Sequence, residues 1–320
     1  MERSKAAAKN AAAATTALRA CNFGKRLPTA EDIADDLGEF AVRNRVLLET
    51  LQRLELASAE NSRYHRLAEA NALRWAAAVP KPPDRAPTRC KVEVLPGDWG
   101  DVTLAMSKKY GRVFACLNMA NAYAPGGGYT DGMIAQEENM FRRTDCHFSL
   151  SRHELHFEEW MDDWVYPPEH SALLNAEAGL VYLDTERPRV CIRGPEDRKR
   201  ADLGYEWLPD DDVFTFLELR AAAVDLRDGR PYEHAETVKR VSAQLDTLIG
   251  KGVRHVVLSA FGCGAFRNPA HYVASAYQEA LESRKEQFDV VAFGIFHAGY
   301  GPNNFAPFAK VFEDWETQPA

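Results

Sequence analysis

The chain has 320 residues, 46% of them hydrophobic and 27% charged, with a formal net charge of −8. That length holds one large α/β domain with an appendage, or two small domains. The acidic balance excludes a general nucleic-acid-binding surface, which needs a basic footprint to displace counterions, but leaves room for a small anion held by backbone amides and helix N-termini.

The chain begins Met1-Glu2-Arg3-Ser4-Lys5 and runs into the alanines of residues 11–14, without the apolar centre of a secretory signal. This stretch reads as a frayed or helical tail, and no apolar run approaches the length of a membrane span. Cys21, Cys90, Cys116, Cys146, Cys191 and Cys263 are scattered without metal-finger spacing. That pattern suits buried free thiols in a reducing, cytoplasmic setting with no membrane partner. Nuclear or secreted use stays open.

Residues 30–79 read as helical, because Ile33, Leu37, Phe40, Leu47, Leu51 and Leu54 recur at three- and four-residue spacing. Asn44 interrupts the stripe, and a second pattern follows through Tyr64, Leu67, Leu73 and Trp75. The prolines at 80, 82, 83 and 87 then stop any helix. They divide the chain into an N-terminal helical extension with a proline-rich linker, residues 1–88, and a second region, residues 89–320. In that second region the texture alternates. Residues 90–95, 113–119, 214–219, 253–259 and 290–296 read as strands, and residues 232–249 and 270–284 as helices. Buried strands alternating with helices predict an α/β sheet covered on both faces. Ligands in such sheets sit beyond the carboxyl ends of strands, which singles out the loops after Met119, Ser259 and Phe296.

The first of these loops contains Gly126-Gly127-Gly128 and, seven residues later, Gln136-Glu137-Glu138 at the start of a helix. Consecutive glycines belong where backbone passes close to another group or takes positive φ, and bare amides there can donate to phosphate oxygens. The second loop, Ser259-Ala260-Phe261-Gly262-Cys263-Gly264-Ala265-Phe266-Arg267-Asn268-Pro269, also follows a strand and precedes a helix. Two such loops at one sheet edge are suited to walling a diphosphate cleft.

Gly-Gly-Gly, seven residues, then Gln-Glu-Glu resembles the signature of poly(ADP-ribose) glycohydrolases of the bacterial or microbial type. Asn118-Met119-Ala120-Asn121 and Gly262-Cys263-Gly264-Ala265-Phe266 resemble that family too, in the same order. The resemblance covers roughly residues 90–316. It implies a macrodomain-like mixed sheet flanked by helices on both faces, and removal of ADP-ribose units without metal or cofactor. The partner would be ADP-ribose or poly(ADP-ribose), carried on modified proteins. By the same resemblance Glu138 is the catalytic acid. Glu137 and Asn121 hold hydroxyls of the distal ribose, beside Gln136. Gly126, Gly127, Gly128, Gly262, Cys263, Gly264 and Ala265 wrap diphosphate and ribose, and Phe266 fixes the distal ribose. Phe305, in Asn303-Asn304-Phe305-Ala306-Pro307-Phe308, is the suggested adenine platform. Cleavage of a bond to ribose passes through an oxocarbenium-like state, which needs a proton on the leaving oxygen and an activated water; one carboxyl can serve both steps.

Other signals weigh less. His153-Glu154-Leu155-His156 lacks the i, i+4 histidine spacing of a helical zinc site. Cys263 has no evident histidine partner and reads as a small buried spacer, Cys146-His147 as packing, and Asp210-Asp211-Asp212 as a solvated turn. Gly299-Tyr300-Gly301-Pro302 reads equally as a ligand loop or a plain turn. The acidic, aromatic residues 147–169 could cap the cleft, read a protein substrate or pack at the surface. Three alternatives remain: a mono-ADP-ribosyl hydrolase acting on protein or nucleic acid, a non-catalytic ADP-ribose reader, and a structural α/β domain with coincidental glycines.

Overall fold

A computed structural model describes residues 27–28, 38–56, 63–80, 90–150, 154–297 and 301–315. The alanine tail, Cys21, Ile33, Leu37, the linker from Lys81 to Pro87, His153, Gly299 and Tyr300 lie outside the described residues. In chain order the elements are α1 (Glu39–Leu56), α2 (Arg63–Ala78), β1 (Lys91–Pro96), α3 (Trp99–Tyr110), β2 (Ala115–Met119), α4 (Gln136–Arg143), β3 (His156–Glu158) and β4 (Asp163–Val165). They continue with α5 (Pro168–Leu174), β5 (Tyr182–Leu183), β6 (Arg189–Cys191), β7 (Phe214–Ala221), α6 (His234–Gly250), β8 (His255–Leu258), α7 (Ala270–Glu282), β9 (Val290–Ile295) and α8 (Phe305–Phe312). Two compact units share these elements: one from Met1–Glu69, Asn121–Ser171 and Arg189–Phe214, the other from Ala70–Ala120, Ala172–Pro188 and Thr215–Ala320. They cut across the sequence division at the proline linker.

The second unit is built on a mixed sheet with strand order β1-β9-β8-β2-β7-β5. β1, β9, β8, β2 and β7 run parallel to their neighbours, in registers such as Val257 with Ala292 and Leu117 with Leu219. β5 pairs with β7 in the antiparallel sense, with Leu183 opposite Leu219. Strands 115–119, 255–258 and 290–295 were legible because a parallel strand covered on both faces is apolar throughout. β9 shows the two faces at single-residue resolution. Phe293 packs on Tyr277 of α7 and Phe308 and Phe312 of α8, with ring centroids 4.9–5.3 Å apart. Its neighbour Gly294 lies against Val102 of α3. Helix α3 has no apolar stripe strong enough to stand out, but its ends are sharply set. The Asp98 carboxylate accepts from the Gly100 and Asp101 amides at 2.9 and 2.8 Å, and Gly111 closes the helix in the left-handed region at φ 59°.

The first unit packs α1 against α4 and against a 3-10 turn, Tyr129–Asp131. Leu47 and Leu51 of α1 are wholly buried, and Leu54 joins Tyr64, Ala68, Val190, Ile192 and Val213 in a small core. Two stripe residues depart from expectation: Phe40 is 53% and Leu73 67% exposed. Thr50 Oγ bridges the carbonyls of Val46 and Arg142 at 2.8 Å each, tying α1 to α4. No helix among the described residues is long and apolar enough to cross a membrane.

A buried ion pair stiffens β7 in the sheet unit. Arg220 Nε and Nη2 donate to the Glu218 carboxylate at 2.7 and 2.8 Å, Asn118 Nδ2 donates to the same carboxylate at 2.9 Å, and both charged side chains are at most 2% exposed. Residues two apart on a strand share a face, so the pair forms without strain. Arg220→Met leaves Glu218 buried without its cation and is expected to cost about 3 kcal/mol or more in urea unfolding. The double variant Glu218→Gln/Arg220→Met should lose less than the single one; a larger loss in the double variant would contradict the pairing.

Candidate active site

The loop after β2 is shaped by its own side chains. Asn121 Oδ1 accepts from the Tyr123 and Ala124 amides at 2.8 and 2.9 Å, an Asx turn that starts the bend. The Gly127 amide donates to Ala124 O at 2.9 Å, and the Asp131 and Met133 amides return to Gly128 O at 3.0 and 3.2 Å. Gly127 takes φ 58°, and a Cβ there would sit 2.4 Å from Glu138 Oε1 and 3.3 Å from Glu137 Oε2. This is the physical link between the glycines and the acids: both carboxylates lie where a side chain would otherwise be.

Helix α4 presents those acids from its first turn, where the helix dipole favours carboxylates. Its N-cap, Ala135, offers no side-chain acceptor, and Glu138 supplies the reciprocal contact. Glu138 Oε2 accepts from the Ala135 amide and Oε1 from the Gly128 amide, each at 3.1 Å. Glu137 Oε2 accepts from the Asn121 amide at 2.7 Å. The two residues are only 3% and 8% exposed, while Gln136 ahead of them is half-buried. Asn121, Gly126, Gly127, Gly128, Gln136, Glu137 and Glu138 therefore come together in the first unit. The Gly127 amide is engaged within the loop, by Ala124 O, and the Gly128 amide by Glu138 of α4.

Beneath the glycines lies a buried aromatic floor of Tyr129, Phe141 and His147, with Tyr129 and Phe141 ring centroids 4.7 Å apart. Tyr129 Oη and His147 Nδ1 are 2.6 Å apart. Burial pushes the imidazole pKa down to about 3 and the phenol well above its ordinary range. The tyrosine therefore donates to a neutral ring, and the pair is a structural contact. Cys146 and His147 are packing residues, as their sequence suggested.

In the sheet unit, Ser259 Oγ donates to Gly294 O at 2.8 Å and starts the second loop. Gly262 takes φ 71°, and a Cβ there would meet Ala223 Cβ at 2.5 Å and Asn268 Nδ2 at 2.6 Å. Asn268, to which the sequence assigned no role, holds the loop by donating to Val224 O and Gly262 O at 2.8 and 3.2 Å. Cys263 is buried and its thiol is raised far above the thiolate range by that burial, which leaves it a spacer. Gly264 and Ala265 are exposed, and half-buried Phe266 carries the Arg227 guanidinium 5.2 Å from its ring centroid. Phe305 is half-buried at the start of α8 against the sheet core, and Phe308 is wholly buried.

The residues 147–169 contain the hairpin β3–β4, which exposes Phe157 (40%), Met161 (43%) and Trp160 (80%). The Tyr166 amide donates to Tyr123 O at 2.8 Å, joining the end of this hairpin to the glycine loop. Asp210–Asp212 form an exposed 3-10 turn with Arg63 on Asp210 at 2.5 Å. Among the described residues no group of three or more His, Cys, Asp or Glu side chains could hold a metal ion.

Residues 28–168 match the model of the family described as microbial-type PARG, catalytic domain. The match contains α1, α2 and the whole first loop with its glutamates, and it begins well before residue 90. Among solved structures the chain is similar to poly(ADP-ribose) glycohydrolase from Thermomonospora curvata, with 22% identity and a TM-score of 0.55 over 84% of this chain and 99% of that one. The same enzyme bound to the inhibitor ADP-HPD gives 20% identity and 0.54, over 84% and 98%. These likenesses show a shared fold, a mostly parallel sheet flanked by helices as in macrodomain-like proteins. No curated protein matches the chain by sequence.

Two predictions follow from this geometry. Gly127→Ala forces a methyl to 2.4 Å from Glu138 Oε1 at a left-handed position, so it should cost about 1–3 kcal/mol in urea unfolding. Wild-type stability of that variant would exclude the close approach. For His147, the unfolded ring binds a proton below about pH 6.5 while the folded ring resists until about 3. Its contribution to stability is thus complete above 6.5 and lost as pH falls toward 3, by roughly 1 kcal/mol per pH unit. Denaturant titrations of His147→Gln should show a flatter decline over that window.

Proposed function

We propose that this chain, whose residues 28–168 carry a microbial-type PARG catalytic domain on a macrodomain-like fold, is a hydrolase cleaving the glycosidic bond of ADP-ribose units, with Glu138 as its acid and base. The observation that carries the reading is the Glu138 carboxylate laid against the Gly127 and Gly128 backbone at the first turn of α4. A group fixed by two backbone amides is pre-oriented and loses little freedom on reaction. In the first step the Glu138 carboxyl gives its proton to the leaving oxygen as the bond from the ribose anomeric carbon to that oxygen breaks. In the second, its carboxylate takes a proton from the water that attacks the same carbon.

Glu137 sits one residue earlier, and its carboxylate supports the reading of a ribose-hydroxyl acceptor. The substrate is the polymer carried on modified proteins. A reducing compartment such as the cytoplasm suits the five described cysteines, all of them buried. Incubation with poly(ADP-ribose) should release free ADP-ribose from wild type. Glu138→Gln should reduce release at least about a hundredfold, the scale of a lost general acid–base group, with ADP-ribose affinity kept within a few-fold. Binding without release by wild type would instead favour a reader or a hydrolase of single units.

A further inference from the structure

Arg142 lies on α4 one turn after Glu138 and is completely buried. Its Nη2 donates to Met133 O at 2.6 Å, a short charge-assisted bond. The Met133 amide in turn donates to Gly128 O at 3.2 Å, and the Gly128 amide donates to Glu138 Oε1 at 3.1 Å. This circuit begins and ends on one helix. It holds the glycine loop against the carboxylate that the loop orients.

The guanidinium is itself held from outside the helix. Arg142 Nε donates to Tyr205 Oη at 3.1 Å, and Tyr205 Oη donates to Glu196 Oε2 at 2.7 Å. The other oxygen of Glu196 accepts from Arg43 Nη2 of α1 at 2.8 Å, and Asn139 Nδ2 reaches Tyr205 Oη at 3.3 Å. Tyr205 is wholly buried and takes φ 53°, with Leu203 two residues earlier at φ 57°. Non-glycine residues occupy that region only where their surroundings over-determine it, and here the strained segment delivers one phenol to one guanidinium.

We propose that Arg142 is a positioning residue for Glu138, acting through Met133 and Gly128, with Tyr205 and Glu196 bracing it and Arg43 anchoring the brace to α1. This rests on the reading of Glu138 as acid and base. Helix α1 thereby belongs to the catalytic apparatus. A lysine cannot replace Arg142, because a single ammonium lacks the planar fork that serves Met133 O and Tyr205 Oη together.

The test uses the full chain and the variants Tyr205→Phe, which keeps the ring and deletes the hydroxyl, and Arg142→Lys. Steady-state release of ADP-ribose from polymer, ADP-ribose binding by calorimetry and thermal melting are measured on each. In Tyr205→Phe, kcat should fall about tenfold, the effect of losing one well-placed hydrogen bond, while KM and ADP-ribose affinity hold within about twofold. Arg142→Lys should fall further, with the same split. Unchanged kcat in folded Tyr205→Phe, or kcat and affinity falling together, overturns the proposal. If wild type releases nothing, the reading of Glu138 is what fails. The brace is then judged by hydrogen exchange at the Gly128 amide, which should be about tenfold faster in Tyr205→Phe than in wild type. Unchanged exchange there overturns it without reference to activity.

Discussion

The contact on which the first unit turns is that between the Glu138 carboxylate and the backbone of Gly127 and Gly128. It constrains the residues in both directions. Position 127 must lack a Cβ, since one would overlap Oε1 at 2.4 Å. Glu138 must reach back to the start of its own helix, because Ala135 cannot cap it. The same side chain therefore closes the helix and touches the loop, so its orientation is determined twice. A flexible acid on a solvated helix face would gain nothing from either partner. This one is buried, short of rotational freedom and aimed.

Around that contact the polar groups are mostly spent on holding the loop. Asn121 turns the chain, Gly127 and Gly128 use their amides internally, and Glu137 accepts from the Asn121 amide. Close approach is thus a sufficient reason for the glycines of this segment. The second loop follows the same logic with different chemistry, as Asn268 fastens it across Gly262 and Val224. In both places a side-chain amide or carboxylate replaces the regular ladder that a loop cannot have.

How much of this could be read from the sequence depends on the range of the determining interaction. The strands at 115–119, 255–258 and 290–295 were legible because burial on both faces writes itself as a run of apolar residues. The glycine–glutamate pairing was legible as spacing, since loop and helix are adjacent in the chain. Helix α3 escaped the reading because its evidence is at its ends, in Asp98 and Gly111, rather than in its periodicity. The hairpin β3–β4 escaped because its strands are three residues each, too short for alternation to register. Phe40 was misplaced because an apolar residue at the right spacing still needs a facing surface.

The charged interior of the first unit lay furthest from sequence reading, and the reason is instructive. Arg43, Arg142, Glu196 and Tyr205 are spread over segments that have no local signal in common; the Arg43–Glu196 bond spans 153 positions. Singly, each residue looks like a solvated charge or a core ring. Buried cations are costly unless their donors are satisfied, so their presence in an interior implies partners that a linear pattern cannot name. Apolar residues would give α1 and α4 an easier interface, but they could not offer directed donors to the Met133 carbonyl. A guanidinium with a short bond to a loop backbone fixes a distance as well as an area of contact. That is the property a loop needs if its amide is to hold a carboxylate in place, and it is why polar groups in this interior are better understood as geometry than as stability.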